Sequence, residues 1–169
     1  EKNGFNFHNS YPAVGDGFIG FLVPYKEYFE PHPEFFAMNE QGEREIPSTG
    51  GQERLTTLCL SSPGLYTESV KNLRAAFAGE RKMNNVGELG FGISPPDGQP
   101  YCFCPECKKA SRNFKYPRHF ERTYQSEEFF GFAGRLAREF PDKIVATMAY
   151  SIREMMPQGV EIPENLMIM

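Results

Sequence analysis

Residues 62–94 read SPGLYTESVKNLRAAFAGERKMNNVGELGFGIS, and this stretch decides the fold class. Ser62 and Pro63 suit the N-cap and first position of a helix. Tyr66, Val70, Leu73 and Phe77 then follow at spacings of four, three and four, which predicts one apolar helical stripe. Gly79 suits the end of that helix, and the apolar run over 86–94 predicts a strand whose glycines permit close backbone approach.

The same pattern recurs on both sides of this stretch. Residues 55–60 predict a short strand before it, and Ser126 is predicted as the N-cap of a second amphipathic helix that Pro141 ends. Residues 144–150 and 166–169 predict two more strands. Strands that alternate with amphipathic helices are typical of an α/β fold with a parallel sheet.

Two architectures fit this alternation. One is a small doubly wound sheet, and the other is a segment of a (β/α)8 TIM-like barrel, which needs roughly 250 residues when complete. The chain begins without Met and ends inside an apolar run, so we expect residues 1–169 to form a single α/β domain that is a truncated part of a larger barrel. Such a segment would leave open sheet edges, which predicts self-association or a larger parent chain.

The remaining segments are predicted as connections. Residues 18–23 are expected to form a buried strand or an extended aromatic segment, residues 25–36 two short helical turns, and residues 39–54 an exposed loop. Residues 95–124 are expected to form a long loop that carries most of the cysteines.

Charge and motifs exclude several classes of function. The chain has 18 basic and 22 acidic residues, a net charge of −4, which does not favour nucleic-acid binding. No apolar run approaches the roughly 20 residues that span a bilayer, and no signal segment begins the chain. A phosphate-binding loop, GxGxxG after a strand, GxSxG and HExxH are all absent from the sequence.

The cysteines give the most specific local pattern. Cys102, Cys104 and Cys107 form C-x-C-x-x-C, and Cys59 ends the predicted strand at 55–60. Four thiolates on one rim of a parallel sheet would suit a structural zinc or iron ion. The alternatives are a disulfide between Cys102 and Cys107 in an exported protein, secreted or periplasmic, and plain free thiols. The sequence leaves this choice, and the localisation, open.

Other candidate residues follow the predicted strands. Asp97 comes directly after the strand at 86–94, where a carboxylate can act as a general acid, although Pro-Asp-Gly is also a common turn. Glu88 and Glu154 are weak candidates for a second carboxylate. Tyr150 ends a strand and could stack on a sugar, or be a core aromatic residue with its hydroxyl at the rim.

Several groups of residues, in order and spacing, resemble a family of bacterial proteins, the DUF4838 family. They are Leu22-Val23-Pro24, Tyr28-Phe29, His32-Pro33-Glu34-Phe35-Phe36, Leu58-Cys59-Leu60-Ser61, Gly92-Ile93-Ser94, Asp97-Gly98, Cys102-x-Cys104-Pro105-x-Cys107, Phe140-Pro141-Asp142-Lys143, Ala149-Tyr150-Ser151, Pro157 and Glu164-Asn165-Leu166. The resemblance implies a (β/α)8 barrel segment similar to glycoside hydrolases that act on hexosamines or uronic acids. It also implies that all four cysteines fall on family cysteine positions. The family usually has Asn before the Asp, where this chain has Pro96.

These observations lead to three hypotheses of function. In the first, the chain is a glycoside-hydrolase-like domain with a carbohydrate ligand, in which Asp97 is catalytic and His8 and Tyr150 bind substrate. In the second, it is a non-catalytic carbohydrate-binding or scaffold domain on the same fold. In the third, it is a metal-binding or redox protein built on the cysteine loop. A closed site of four cysteines would make the zinc structural.

Overall fold

The computed structural model describes residues 12, 14–15, 17–44, 57–96, 101–115 and 121–169, with residues 112–115 and 121–123 described by their backbone alone. Within these ranges the α-helices are α1 (Tyr25–Tyr28), α2 (Pro63–Phe77), α3 (Pro105–Ala110) and α4 (Ser126–Glu139). The strands are β1 (Val86–Gly87), β2 (Gly90–Gly92), β3 (Arg112–Lys115), β4 (Glu121–Tyr124), β5 (Ile144–Thr147) and β6 (Leu166–Ile168). Short 3-10 helices cover Phe18–Phe21, Pro33–Phe35 and Ser151–Arg153.

The main sheet has four strands in the order β1-β2-β5-β6. β2 and β5 are parallel with Phe91 opposite Val145, and β5 and β6 are parallel with Val145 opposite Leu166. β1 pairs with β2 in the antiparallel direction. The predicted α/β class with a mostly parallel sheet is therefore confirmed, while the barrel segment, the self-association and the larger parent chain stay predictions.

Helix α2 forms as its sequence predicts. Pro63 occupies the first turn, where its missing N–H breaks no hydrogen bond, and the Ser62 side chain makes no capping bond. The fully buried face contains Leu65 and Leu73, so it is rotated slightly from the predicted stripe. Gly79 follows the helix with a φ of 78°, a left-handed conformation that glycine adopts without strain.

Three phenylalanine rings join the two long helices to the sheet. Phe77 of α2 lies 6.2 Å from Phe91 of β2, and Phe140, directly after α4, lies 5.6 Å from each of them. Edge-to-face and tilted rings at these distances stabilise a core by about 0.5–1.5 kcal/mol per pair beyond the area they bury. The rings therefore fix α2 and α4 on the same part of the sheet.

Four segments differ from their predicted structure. Residues 18–23 contain a 3-10 helix instead of a strand, because Gly17 turns the chain with a φ of 70° directly before Phe18. Residues 55 and 56 of the predicted strand 55–60 lie outside the described residues; within 57–60, Leu58 makes only an isolated bridge to Phe36 and does not join the main sheet. Residues 86–94 form a hairpin, β1 and β2, instead of one strand. Residues 95–124 were expected to be loop throughout, but they include α3 and the hairpin of β3 and β4.

The described residues contain no helix long and apolar enough to cross a lipid bilayer.

Close backbone contact at Gly90 gives a test of the sheet. A Cβ atom there would lie 1.8 Å from the carbonyl oxygen of Ile144 on the neighbouring strand. We expect Gly90→Ala to lower the free energy of unfolding by about 2–3 kcal/mol, since the strands would have to separate. The matched control is Gly131→Ala in α4, where a Cβ meets nothing within 4 Å and which should raise stability by about 0.5–1 kcal/mol. Urea unfolding of both variants measures this, and equal effects would contradict the sheet register.

Candidate metal centre

The four cysteines lie together in one buried cluster. Their Sγ atoms are all within 4.8 Å of one another. The side chains are 0–6% exposed, and the cluster is separate from the main apolar core; among the described apolar residues, Ala37 and Met38 pack against it. The structure thus brings together all four residues that the sequence singles out as metal ligands.

Local backbone structure places three of these sulfurs. Pro105 begins α3 and Cys104 is its N-cap, so Cys104 and Cys107 lie one helical turn apart on the same face. The Cys107 N–H donates to Cys104 Sγ at 3.5 Å. The preceding segment pairs with residue 38, because the Phe103 N–H donates to the Met38 carbonyl at 2.8 Å and the Met38 N–H donates to Cys102 Sγ at 3.3 Å.

Cys59 comes from a different part of the chain. Its N–H donates to the Phe35 carbonyl at 2.9 Å, which holds the segment 57–59 beside residues 35–37. Directly afterwards the chain turns into α2. The cluster therefore joins three segments that are distant in sequence, around residues 35–38, 57–61 and 101–107.

The distances between sulfurs match those around a shared metal ion. Cys59 Sγ lies 3.7 Å from Cys104 Sγ and 3.9 Å from Cys107 Sγ. Four sulfurs arranged as a tetrahedron at ~2.3 Å from zinc are separated by about 3.8 Å. A disulfide needs roughly 2.05 Å, and all four cysteines are free thiols in the structure.

A serine hydroxyl covers one face of the cluster. Ser61 Oγ lies 3.4 Å from Cys59 Sγ, 3.4 Å from Cys104 Sγ and 3.2 Å from Cys107 Sγ. Its single proton can be donated to one of the three sulfurs at a time. Together with the two N–H donors, it stabilises negative charge on the sulfurs, as hydrogen bonds around metal ligands commonly do.

The thiols influence one another's ionisation. Hydrogen bonds from Cys102 and Cys107 lower the pKa of Cys59 below its usual range, although burial opposes this. A hydrogen bond from Cys107 lowers the pKa of Cys102, but the bond to Cys59 and burial outweigh it and raise that pKa to about 11. Hydrogen bonds to Cys102 and Cys59, and then burial, raise the pKa of Cys107. Without an ion the cluster thus favours one thiolate that accepts hydrogen bonds from neutral thiols, and a cation is needed to hold several thiolates together.

Glu128 of α4 lies beside the cluster, and Arg153 lies near Glu128. Burial raises the pKa of the Glu128 carboxyl, an effect that the adjacent Cys107 thiol partly offsets. Burial lowers the pKa of Arg153 to about 10, and the charge of Glu128 acts in the opposite direction. The Arg153 guanidinium lies 5.3 Å from the centre of the Phe129 ring.

Of the other predicted site residues, those that the structure describes are not part of this cluster. His8 and Asp97 lie outside the described residues, so their roles stay predictions. Tyr150 follows β5 and is 50% exposed, so it is not a buried core residue. Glu88 lies in the turn between β1 and β2, at the amino end of β2, and Glu154 accepts a hydrogen bond from the Tyr124 hydroxyl at 3.3 Å.

Sequence reasoning assigned no role to Ser61, Glu128 or Arg153, although Ser61 and Arg153 lie just after predicted strands. Ser61 is two residues from Cys59, a spacing that can return a hydroxyl to the sulfur, so a signal for it was present. No sequence pattern marks Glu128 or Arg153 as buried, since charged residues are mostly exposed.

A comparison with family models matches residues 6–169 to a domain of unknown function, DUF4838. Comparisons with curated proteins and with solved structures find no match. The family match covers nearly all of the chain and agrees with the resemblance seen in the residues themselves. This chain belongs to the DUF4838 family.

Proposed function

We propose that this domain binds one zinc ion through Cys59, Cys102, Cys104 and Cys107, and that the ion is structural. The observation that carries the proposal is the spacing of the sulfurs, 3.7 and 3.9 Å, in a cluster whose members are all buried. Soft thiolates in a tetrahedral set select zinc or iron over calcium and magnesium. Four protein ligands leave no open position for substrate, so the ion stabilises structure rather than catalysing a reaction.

The chain between β2 and α4 forms an inserted segment, for which the ion would take the place of an apolar core. Between Ile93 and Phe129, no described residue belongs to the main apolar core, and the cysteines are among the few buried side chains there. Zinc binding would therefore contribute folding free energy to this segment directly, as in small metal-dependent domains. It would also hold α3 beside Cys59, where the chain enters α2.

A second proposal concerns the carboxyl edge of the sheet, which would bind carbohydrate as a glycoside-hydrolase-like or non-catalytic domain. What supports it is Tyr150, a half-exposed aromatic side chain directly after β5. Ligands of parallel α/β folds bind at the carboxyl ends of the strands, both in open sheets and in (β/α)8 barrels. The barrel itself finds support in β2, β5 and β6, which are parallel neighbours in chain order.

The metal proposal predicts one zinc ion per chain in protein purified without chelators. Cys107→Ala should lose the ion and destabilise the protein by several kcal/mol, because three thiolates and an open position bind zinc more weakly. Val70→Ala is the matched control, since it removes a buried side chain of similar size from α2 and should keep the zinc. Elemental mass spectrometry and thermal unfolding measure both effects. Stoichiometric iron with a coloured protein would correct the identity of the metal, and no metal at all would refute the proposal.

The state of the cysteines gives a second test. After chelation and unfolding without reductant, we expect four thiols per chain to react with a thiol reagent. In the native, metal-loaded protein we expect almost none to react within minutes, because the sulfurs are buried and ligated. Two or fewer thiols after unfolding would instead indicate a disulfide and rule out the four-cysteine site.

The carbohydrate proposal predicts a role for Tyr150. Tyr150→Ala should weaken the binding of an oligosaccharide about five- to tenfold, the loss expected for one aromatic contact. Leu89→Ala is the control, because Leu89 is also an exposed apolar residue, at 40%, but lies in the turn between β1 and β2 at the other end of the sheet. Calorimetry with neutral, amino-sugar and uronate oligosaccharides measures binding, and turnover of an aryl glycoside separates an enzyme from a binding domain. Equal affinity in wild type and Tyr150→Ala would contradict the proposal.

A further inference from the structure

The amino end of α4 contains buried hydrogen-bond donors that have no acceptor. Gln125 is the N-cap residue, and its side chain makes no capping bond to the helix. Gln125 Nε2 and Ser126 Oγ lack hydrogen-bond partners in the structure, although the two residues are only 2% and 0% exposed. The first N–H groups of any α-helix also need acceptors from outside the helix.

Arg153 adds a buried charge beside this helix end. The Gln125 N–H donates to the Ile152 carbonyl at 2.9 Å, so the backbone before Arg153 is fixed against the start of α4. The guanidinium reaches the Phe129 ring at 5.3 Å, and Arg153 therefore runs along the first turn of the helix. Its side chain is buried, with the residue 6% exposed, and Nε has no hydrogen-bond partner.

Neighbouring acidic side chains do not supply the missing acceptor. Glu127 Oε1 accepts a hydrogen bond from the Gln158 N–H at 3.0 Å. Glu128 is close enough to influence the charge of Arg153, but its carboxyl lies against Cys107, and its Oε1 has no hydrogen-bond partner. The Arg153 Nε is thus a buried donor of a charged group that has no bonded partner, which is costly and points to a group that completes the site.

We propose that Gln125, Ser126 and Arg153 form a binding site for a small oxyanion, a carboxylate or a phosphate, at the amino end of α4. Such an anion accepts several hydrogen bonds at once, and guanidinium binds its planar or tetrahedral oxygens in a forked geometry. The helix end adds its positive dipole and its free N–H groups. The site lies close after β5 in space, because the 3-10 helix Ser151–Arg153 follows that strand.

The test is calorimetric titration of the metal-loaded protein with glucuronate and with inorganic phosphate, using glucose as a neutral control. We expect one oxyanion per chain to bind and glucose not to bind at the same concentration. Stronger binding of glucuronate would identify a sugar carboxylate as the ligand chemistry, and stronger binding of phosphate would identify a phosphate. Absence of binding by both anions would overturn the proposal.

Three variants locate the site. Arg153→Met keeps an apolar stem over Phe129 but removes the donors, and Ser126→Asp places a carboxylate at the helix end. Both should weaken oxyanion binding at least tenfold, whereas Arg138→Met, in the last turn of α4, should bind like wild type. Undiminished binding in Arg153→Met or Ser126→Asp, or equal loss in Arg138→Met, would overturn the proposal.

A folding defect in one variant does not prevent the test. If Arg153→Met fails to fold, Ser126→Asp decides, since it keeps the Arg153 side chain and should still lose the oxyanion. Zinc content is measured on the same samples. Because the oxyanion donors include none of the four cysteines, a variant that keeps its zinc but loses oxyanion binding is distinguished from a failure of the metal proposal.

Discussion

The close packing of four buried cysteine sulfurs is the constraint on which the site and the inserted segment depend. Thiol groups at 3.7 and 3.9 Å cannot all ionise without a cation between them, because each thiolate raises the free energy of the next. Neutral thiols would satisfy one another only weakly, as poor hydrogen-bond donors. A metal ion resolves this by making four thiolates mutually compatible. It also ties the segments near residues 36, 59 and 104 to one point.

The protein therefore has two cores of different chemistry. Aromatic and aliphatic side chains hold α2, α4 and the parallel strands, with Phe77, Phe91 and Phe140 at their meeting point. The sulfur cluster holds α3 and its flanking segments, which contribute nothing described to the apolar core. Loss of the metal should accordingly loosen the insertion between β2 and β5 more than the sheet, since the apolar contacts of α2 and α4 do not pass through the cluster.

The sequence was most informative where a pattern and its boundary signals agree. Both long helices could be predicted, because four-three-four apolar spacing coincided with Pro63 and Gly79 for one helix and with Ser126 and Pro141 for the other. Short apolar runs were misleading, as residues 18–23 show. A buried run of six residues has the same composition in a strand and in a 3-10 helix, and the left-handed Gly17 decides between them only in three dimensions.

The candidate site was predictable in part for a similar reason. Cysteine spacing predicted the candidate ligands, since a short turn limits the positions that three sulfurs can take. The burial of Arg153 was not predictable, because it depends on how the 3-10 helix after β5 meets the start of α4. That meeting point also links the proposed metal site to the proposed oxyanion site. Glu128 contacts the cysteine cluster from the first turn of α4. Arg153 contacts the same part of the helix, because its guanidinium lies over the Phe129 ring. An ion that fixes α3 against α4 would thus also fix the donors at the helix end, and the order of that end would depend on metal binding.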